Sequence, residues 1–168
     1  MRKIGINLAA KKGLTVSEYA AEIAGLGFEA VFSGVPAPEK AHEIGGILAK
    51  NGLAWETMHA PFGHINDMWY DSEGGIAMYR ELIDGVDRCR EMNVPILVVH
   101  LSSGHFPPSI TDIGRARFSS LVEYAVGKGV KIAFENIRNV GNVAALMERY
   151  ERIPAVGYCF DCGHEHCY

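Results

Sequence analysis

The chain has 168 residues, a length that suits a single domain. Hydrophobic residues make up 48% and charged residues 21% of the chain, a globular composition that excludes disordered and fibrous proteins. The 16 Lys and Arg residues against 20 Asp and Glu residues give a net charge of −4, so there is no basic surplus for nucleic acid or an anionic membrane.

The sequence shows no targeting or membrane signal. Its apolar runs are far shorter than the roughly 20 residues of a membrane-spanning helix. Asn7, Lys11 and Lys12 interrupt the N-terminal segment, which therefore lacks the apolar centre of a signal peptide. Without an export signal, the four cysteines are expected to be thiols rather than disulfides. We therefore expect a cytoplasmic protein.

Short strand-like runs alternate with helix-like runs along the whole chain, a pattern typical of βαβ units and a parallel sheet. Strands are predicted over residues 3–8, 28–32, 53–59, 95–100, 130–135 and 156–161. The fourth run is almost continuously apolar, as expected for a strand that is buried on both faces.

The predicted helices carry start and stop signals. The first helix opens with Thr15 and Glu18, the two members of a capping-box pattern. Gly27 ends the first helix, Pro38 and Asn51 mark the start and end of the second, and Thr111 and Gly129 mark those of the fourth. A last short helix is predicted over residues 143–150.

Two architectures accommodate six βα units of this size. One is an open doubly wound sheet, which would be complete at this length. The other is a (β/α)₈ barrel of TIM type, which needs about 250 residues and would lack its last two units. Length alone favours the open sheet.

The polar residues favour the barrel. The third, fourth, fifth and sixth predicted strands end at His59, His100, Glu135 and Asp161, with His164 shortly after the last. An open sheet offers ligands a single crevice, whereas a barrel brings every strand end to one mouth. We therefore predict a single domain over residues 1–168, a TIM-type barrel with about six of its eight βα units.

The alternation of side chains along a strand supports this prediction. If Glu135 and Asp161 face inward, the bulky neighbours Phe134, Tyr158 and Phe160 face outward. Two buried carboxylates on adjacent strand ends would repel each other, and a bound cation removes that repulsion. Glu, Asp and His are common ligands of Mn²⁺, Zn²⁺ and Co²⁺.

Four segments carry a resemblance to a known family. They are His59-Ala-Pro-Phe62, the strand-end His100, Ala-Phe-Glu135-Asn136 and Phe-Asp161-Cys-Gly-His164. Together they resemble the sugar phosphate isomerase/epimerase superfamily, a group of xylose-isomerase-like TIM barrels related to endonuclease-IV-type nucleases. The resemblance implies a divalent metal (Mn, Zn, Co or Mg) at the barrel mouth. It also implies isomerisation or epimerisation of a sugar or sugar phosphate by proton transfer through an enediolate.

The resemblance also assigns roles to individual residues. Glu135 would be a metal ligand and the catalytic acid/base, and Asp161 would be the second ligand. His164 would bind substrate or a metal. His59 and His100 match additional metal ligands of the nuclease branch, and histidines at such positions bind substrate in many sugar-acting members. Asn7 would line the floor of the site.

The sequence departs from the family in one respect. Sugar-acting members complete the metal shell with a His on the seventh strand and a Glu on the eighth, and this chain contains neither strand. We therefore expect a fragment, a truncated gene product, or part of an assembly that supplies the rest. The first and sixth strands would have unpaired edges, which a homo-oligomer would cover.

Three loop residues have two interpretations each. Arg138 would bind a substrate phosphate, or it is a solvated loop residue. Trp69 and Tyr70 would cover a sugar ring, or they pack over the barrel mouth.

Three alternative functions remain at this point. The first is a zinc-dependent phosphodiesterase acting on abasic DNA through His59, His100, Glu135, Asp161 and His164, which the acidic net charge disfavours. The second is a structural zinc site built from Cys159, Cys162, His166 and Cys167. The third is a non-catalytic remnant of an enzyme.

Overall fold

The protein is represented by a computed structural model that describes residues 3–9 and 13–167, so Lys11 and Lys12 lie outside the described residues. Six strands are present in the described part: β1 (Gly5–Asn7), β2 (Ala30–Gly34), β3 (Ala54–His59), β4 (Ile96–Val99), β5 (Lys131–Glu135) and β6 (Val156–Cys159). The helices are α1 (Val16–Gly25), α2 (Pro38–Lys50), α3 (Glu73–Glu91), α4 (Asp112–Lys128), α5 (Val140–Tyr150) and α6 (Cys162–Cys167), and a short 3₁₀ helix (Ile65–Trp69) precedes α3.

The strands lie in the sheet in the same order as in the chain, and every neighbouring pair is parallel. A doubly wound sheet would reverse its strand order in the middle, so the open-sheet alternative is wrong. Sequential parallel strands connected by helices are the arrangement of a TIM barrel. β1 and β6 do not pair with each other, so the described units form an incomplete barrel with two unpaired edges.

Local hydrogen bonds explain the element boundaries. Thr15 and Glu18 form the predicted capping box, in which each side chain accepts the other residue's backbone N–H. The second strand is predicted over residues 28–32, but in the structure it begins and ends two residues later, as β2. The Phe28 N–H donates to the Ile23 carbonyl at the end of α1, and the strand instead extends along β3 as far as Gly34.

The main core lies between the outer face of the sheet and the helices α3, α4 and α5. Ile132 and Phe134 of β5 are buried there, as the strand alternation predicts. Phe134 contacts Phe118 of α4 and Tyr150 of α5 through their rings. Among the described residues, no helix combines the length and the apolar content that crossing a bilayer requires. The outer face of β5 is covered by α4 and α5.

The outer face of β6 differs from that of β5. Tyr158 and Phe160 are exposed rather than packed under a helix. The two rings lie beside each other, with 6.4 Å between their centroids, so Phe160 shares the side of the chain that Tyr158 occupies.

Candidate metal centre and active site

Glu135 stands at the centre of the strand-end cluster. It is the last residue of β5, and it is only 5% exposed. His59 ends β3, and His100 directly follows β4. The Nε2 atoms of His59 and His100 lie 3.0 and 2.9 Å from the same carboxylate oxygen, Oε2 of Glu135. The structure thus brings together three of the predicted site residues.

The ring orientation of His59 is fixed by its other nitrogen. Nδ1 of His59 lies 2.8 Å from the carbonyl oxygen of Ala60. A carbonyl oxygen can only accept a hydrogen bond, so Nδ1 carries a proton and Nε2 faces Glu135. Metal-binding histidines usually have this second hydrogen bond, which sets the tautomer of the ring.

The spacing of the three ligand atoms fits a small divalent cation. The two Nε2 atoms and Oε2 of Glu135 are 2.9 to 3.2 Å apart. Tetrahedral ligands at the 2.0–2.1 Å typical of zinc would be about 3.3 Å from one another. The donor set of two imidazole nitrogens and one carboxylate suits Zn²⁺, Co²⁺ or Mn²⁺. These residues could therefore hold a metal with little movement.

A second group of candidate ligands shares Glu135. Its other members are Asp161 and His164, and the three candidate ligand atoms lie within 4.8 Å of one another. Nδ1 of His164 is 3.6 Å from Oε1 of Glu135. His59 and His100 thus contact Oε2 of Glu135, and His164 lies near Oε1.

The charge of Glu135 is stabilised by its neighbours. Burial raises the pKa of this carboxyl, but hydrogen bonds with His100 and His59 lower it by more, so the pKa is well below its usual range. Burial also lowers the pKa of His59, but the hydrogen bonds to Glu135 and to the Ala60 carbonyl raise it by more. The pKa of His59 therefore lies above its usual value. The site therefore holds a carboxylate anion and favours a cationic neighbour.

A cavity of about 470 Å³ opens above these residues on the inner face of the sheet. Asn7 at the end of β1 lines it, and its role at the floor of a substrate site stays a prediction. Cys159 faces the same cavity beside Glu135 in the strand pairing. Burial raises the pKa of the Cys159 thiol to about 11, and the nearby carboxylates of Glu135 and Asp161 add to this. A cavity of this size suits a small-molecule ligand.

Arg138 does not line the central cavity. It borders a separate cavity of about 160 Å³ that also touches His100 and His164. Nη1 of Arg138 lies 2.8 Å from Nδ1 of His105. A role in binding substrate therefore stays a prediction.

The loop after β3 departs from one expectation. Trp69 is fully buried, its ring packs on Phe118, and its indole N–H donates to the Leu101 carbonyl. It cannot cover a sugar ring from this position. Tyr70 is exposed, and its carbonyl accepts a hydrogen bond from Arg117. Trp69 therefore anchors the loop, and a role of Tyr70 in covering a sugar ring stays a prediction.

Phe62 is a site residue whose contacts the sequence did not reveal. Its ring lies 4.5 Å from the ring of His100 and 5.4 Å from that of His59, measured between centroids. It lines both the central cavity and the smaller one. The His-Ala-Pro-Phe segment drew attention to Phe62, but no pattern in one sequence predicts which rings it contacts.

The cysteine-based zinc site finds no support. Among the described residues, the groups of candidate ligands close enough for one ion are the two around Glu135, and neither contains a cysteine or His166. Cys162 and Cys167 are exposed on α6, and all four cysteines are free thiols.

Sequential parallel βα units with a polar cluster at the strand ends define a protein of the TIM-barrel class. Residues 20–168 match the sequence profile of the xylose isomerase-like TIM barrel family, and the chain belongs to this family. No curated protein matches the chain.

Solved structures show the same fold. A xylose isomerase domain protein from Planctomyces limnophilus is 18% identical with a TM-score of 0.71. The D-psicose 3-epimerase of Clostridium cellulolyticum H10 is 15% identical with a TM-score of 0.78, and the 3-keto-D-glucoside 4-epimerase of E. coli is 16% identical with a TM-score of 0.76. The alignments cover 96%, 98% and 99% of this chain but 64%, 65% and 70% of those chains. The chain thus spans about two-thirds of their length.

Proposed function

We propose that this chain carries the metal-binding and proton-transfer residues of an isomerase or epimerase that acts on a sugar or sugar phosphate. The observation that carries the proposal is the position of Glu135, a buried carboxylate that faces the central cavity between two clusters of metal-type ligands. The similarity of the fold to sugar epimerases supports the choice of substrate class.

Each residue has a role in this proposal. His59 and His100 hold one oxygen of Glu135, and Asp161 and His164 lie near the other. A divalent cation (Mn, Zn, Co or Mg) held by these residues would stabilise negative charge that develops on a substrate oxygen.

Glu135 accepts the proton from the carbon next to the substrate carbonyl. A second acid, which sugar-acting family members carry on the eighth strand, would return a proton to the opposite face of that carbon to give an epimer. Return of a proton to the adjacent carbon would give an isomer. Asn7 and His59 line the same cavity and bind the hydroxyl groups of the sugar. Arg138 binds the phosphate of a phosphorylated substrate from the neighbouring cavity.

The location and partners follow from the same proposal. The four free cysteines support a cytoplasmic protein. Its partner is a small-molecule sugar rather than nucleic acid. A second copy of the chain, or a separate segment, would cover the unpaired edges of β1 and β6.

Elemental analysis of purified protein tests the proposal. We expect near-stoichiometric Mn, Zn or Co in the wild type, loss of the metal in Glu135→Ala, which both clusters share, and loss of only the ion at the second cluster in Asp161→Ala. The control is His42→Ala, because His42 lies on the surface and bonds to Glu91 far from the cavity. Solvent deuterium incorporation into ketoses, followed by NMR, then tests proton transfer. Absence of metal from the wild type would contradict the proposal and favour a non-catalytic remnant.

A second candidate function is hydrolysis of abasic DNA. The observation in its favour is the cluster of His59, His100 and Glu135, which matches the additional metal ligands of the nuclease branch. The net charge of −4 argues against a DNA substrate. Cleavage of an abasic duplex, lost in His59→Ala and strongly reduced by salt, would favour this function over sugar chemistry.

A further inference from the structure

We infer that Asn136 is a positioning residue that fixes Asp161 and His164 relative to Glu135. The inference rests on the proposed metal centre, to which both of those residues belong. Asn136 follows Glu135 directly, and it is only 1% exposed. Its side chain and its backbone make four hydrogen bonds to β6 and to the segment that follows it.

The side-chain amide of Asn136 makes two hydrogen bonds with the backbone of Asp161. Its Nδ2 group donates to the carbonyl of Asp161 at 2.8 Å, and its Oδ1 atom accepts the Asp161 N–H at 2.5 Å. The Asn136 N–H donates to the Cys159 carbonyl at 3.2 Å. The amide thus continues the pairing of β5 with β6 beyond the point where the strands end. Asp161 is held in place although it lies outside the sheet.

The backbone of Asn136 orients His164. The carbonyl of Asn136 lies 2.9 Å from Nδ1 of His164 and can only accept, so that nitrogen carries the proton. The lone pair of the neutral ring is then on Nε2, the ligand atom of this tautomer. The N–H of His164 donates to Oδ1 of Asp161 at 2.8 Å, which ties the two residues together.

The chemistry of this position requires an amide. Asparagine supplies one donor group and one acceptor on the same short side chain, as the two backbone groups of Asp161 demand. An aspartate in place of Asn136 would not serve, since a carboxylate has only acceptors and would face the Asp161 carbonyl. An apolar side chain would leave the half-buried Asp161 N–H without its acceptor, which is costly, and the Asp161 carbonyl would keep only the hydrogen bond from the Glu165 N–H.

The test compares Asn136→Asp with Asn142→Asp. Asn142 is a suitable control because it is also buried and its Nδ2 group donates to the Pro108 carbonyl, away from the candidate ligands. Affinity for Co²⁺ and Zn²⁺ is measured by competition with a chelator. We expect Asn136→Asp to lose about 10- to 100-fold in affinity and Asn142→Asp to stay within about two-fold of the wild type. Equal losses in the two variants would overturn the inference.

Imidazole NMR of the metal-free protein provides a second readout, with the His164 signals assigned from their loss in His164→Gln. We expect the Nδ1–H tautomer of His164 in the wild type, and displaced Asp161 amide and His164 signals in Asn136→Asp but not in Asn142→Asp. An Nε2–H tautomer, or unchanged signals in Asn136→Asp, would overturn the inference. If the signals are displaced but the protein binds no metal, the positioning role is supported and only the proposed function is contradicted.

Discussion

The Nε2 atoms of His59 and His100 lie 3.2 Å apart, and both are within 3.0 Å of one oxygen of Glu135. Nδ1 of His59 already donates a hydrogen bond to the Ala60 carbonyl. A neutral His59 therefore has only a lone pair to present to the carboxylate, which is unfavourable unless a cation or a proton lies between them. This contact is the basis of our first prediction.

We predict that His59→Ala and His100→Ala each weaken Zn²⁺ binding at their cluster by about ten-fold or more, because each removes one of three ligands. Asp161→Ala weakens only the cluster on the other side of Glu135, and Glu135→Ala weakens both. Zinc titration with elemental analysis measures these effects. Unchanged zinc affinity in both histidine variants would contradict the prediction.

A second prediction concerns the packing of α4 on the loop after β3. A Cβ atom at Gly114 would overlap the buried ring of Trp69. We expect Gly114→Ala to lower the free energy of unfolding by about 1–3 kcal/mol. Gly127→Ala is the control on the same helix, since no atom lies within 4 Å of its Cβ position. That variant should be neutral or more stable by up to about 1 kcal/mol. Urea denaturation distinguishes the two, and equal stabilities would show that Trp69 can move.

A third prediction concerns thiol reactivity. Burial raises the pKa of Cys89 to about 12 and is the main cause that raises that of Cys159 to about 11. At pH 8 roughly one Cys159 side chain in a thousand is then the reactive thiolate. Iodoacetamide should therefore modify the exposed Cys162 and Cys167 first, Cys159 slowly, and Cys89 only after unfolding. Peptide mass spectrometry follows the order, and rapid labelling of Cys89 in the folded protein would contradict it.

A fourth prediction concerns pH and the contact between α3 and α4. Burial raises the pKa of Asp87, but hydrogen bonds with Lys128 and Tyr124 lower it by more, so the folded pKa lies below that of the unfolded chain. The stabilisation is present above about pH 4 and is lost as the pH falls through the folded pKa. At pH 7, Asp87→Asn should cost about 0.5 kcal/mol of unfolding free energy, a typical value for an exposed ion pair. Urea denaturation at pH 7 and pH 3 measures the difference, which should shrink at the lower pH.

The strand ends could be predicted from the sequence because two regular features determine them. Parallel strands alternate with helices, and side chains alternate in direction along each strand. These features suffice to bring His59, His100 and Glu135 to one place, and the structure shows that they meet. The capping box of Thr15 and Glu18 is predictable for a similar reason, since it depends on residues only three apart.

The remaining features depend on contacts between distant segments. Whether Trp69 covers a ligand or fills the core is decided by Phe118, which lies on a helix beyond the next strand. The bonds between Asn136 and Asp161 join residues 25 positions apart in a region without regular structure. The tautomers of His59 and His164 depend on single backbone carbonyls. No periodic pattern in the sequence encodes such contacts.

The agreement between chain order and sheet order has a consequence for how the protein forms. Each new strand pairs with the strand that was synthesised immediately before it. During translation, each βα unit can therefore dock on a finished neighbour without waiting for a distant segment. Each step closes a loop of one βα unit only, so the entropic cost of closing still longer loops does not arise. The candidate ligands then become available in sequence, and of those named above His164 is the last to emerge from the ribosome.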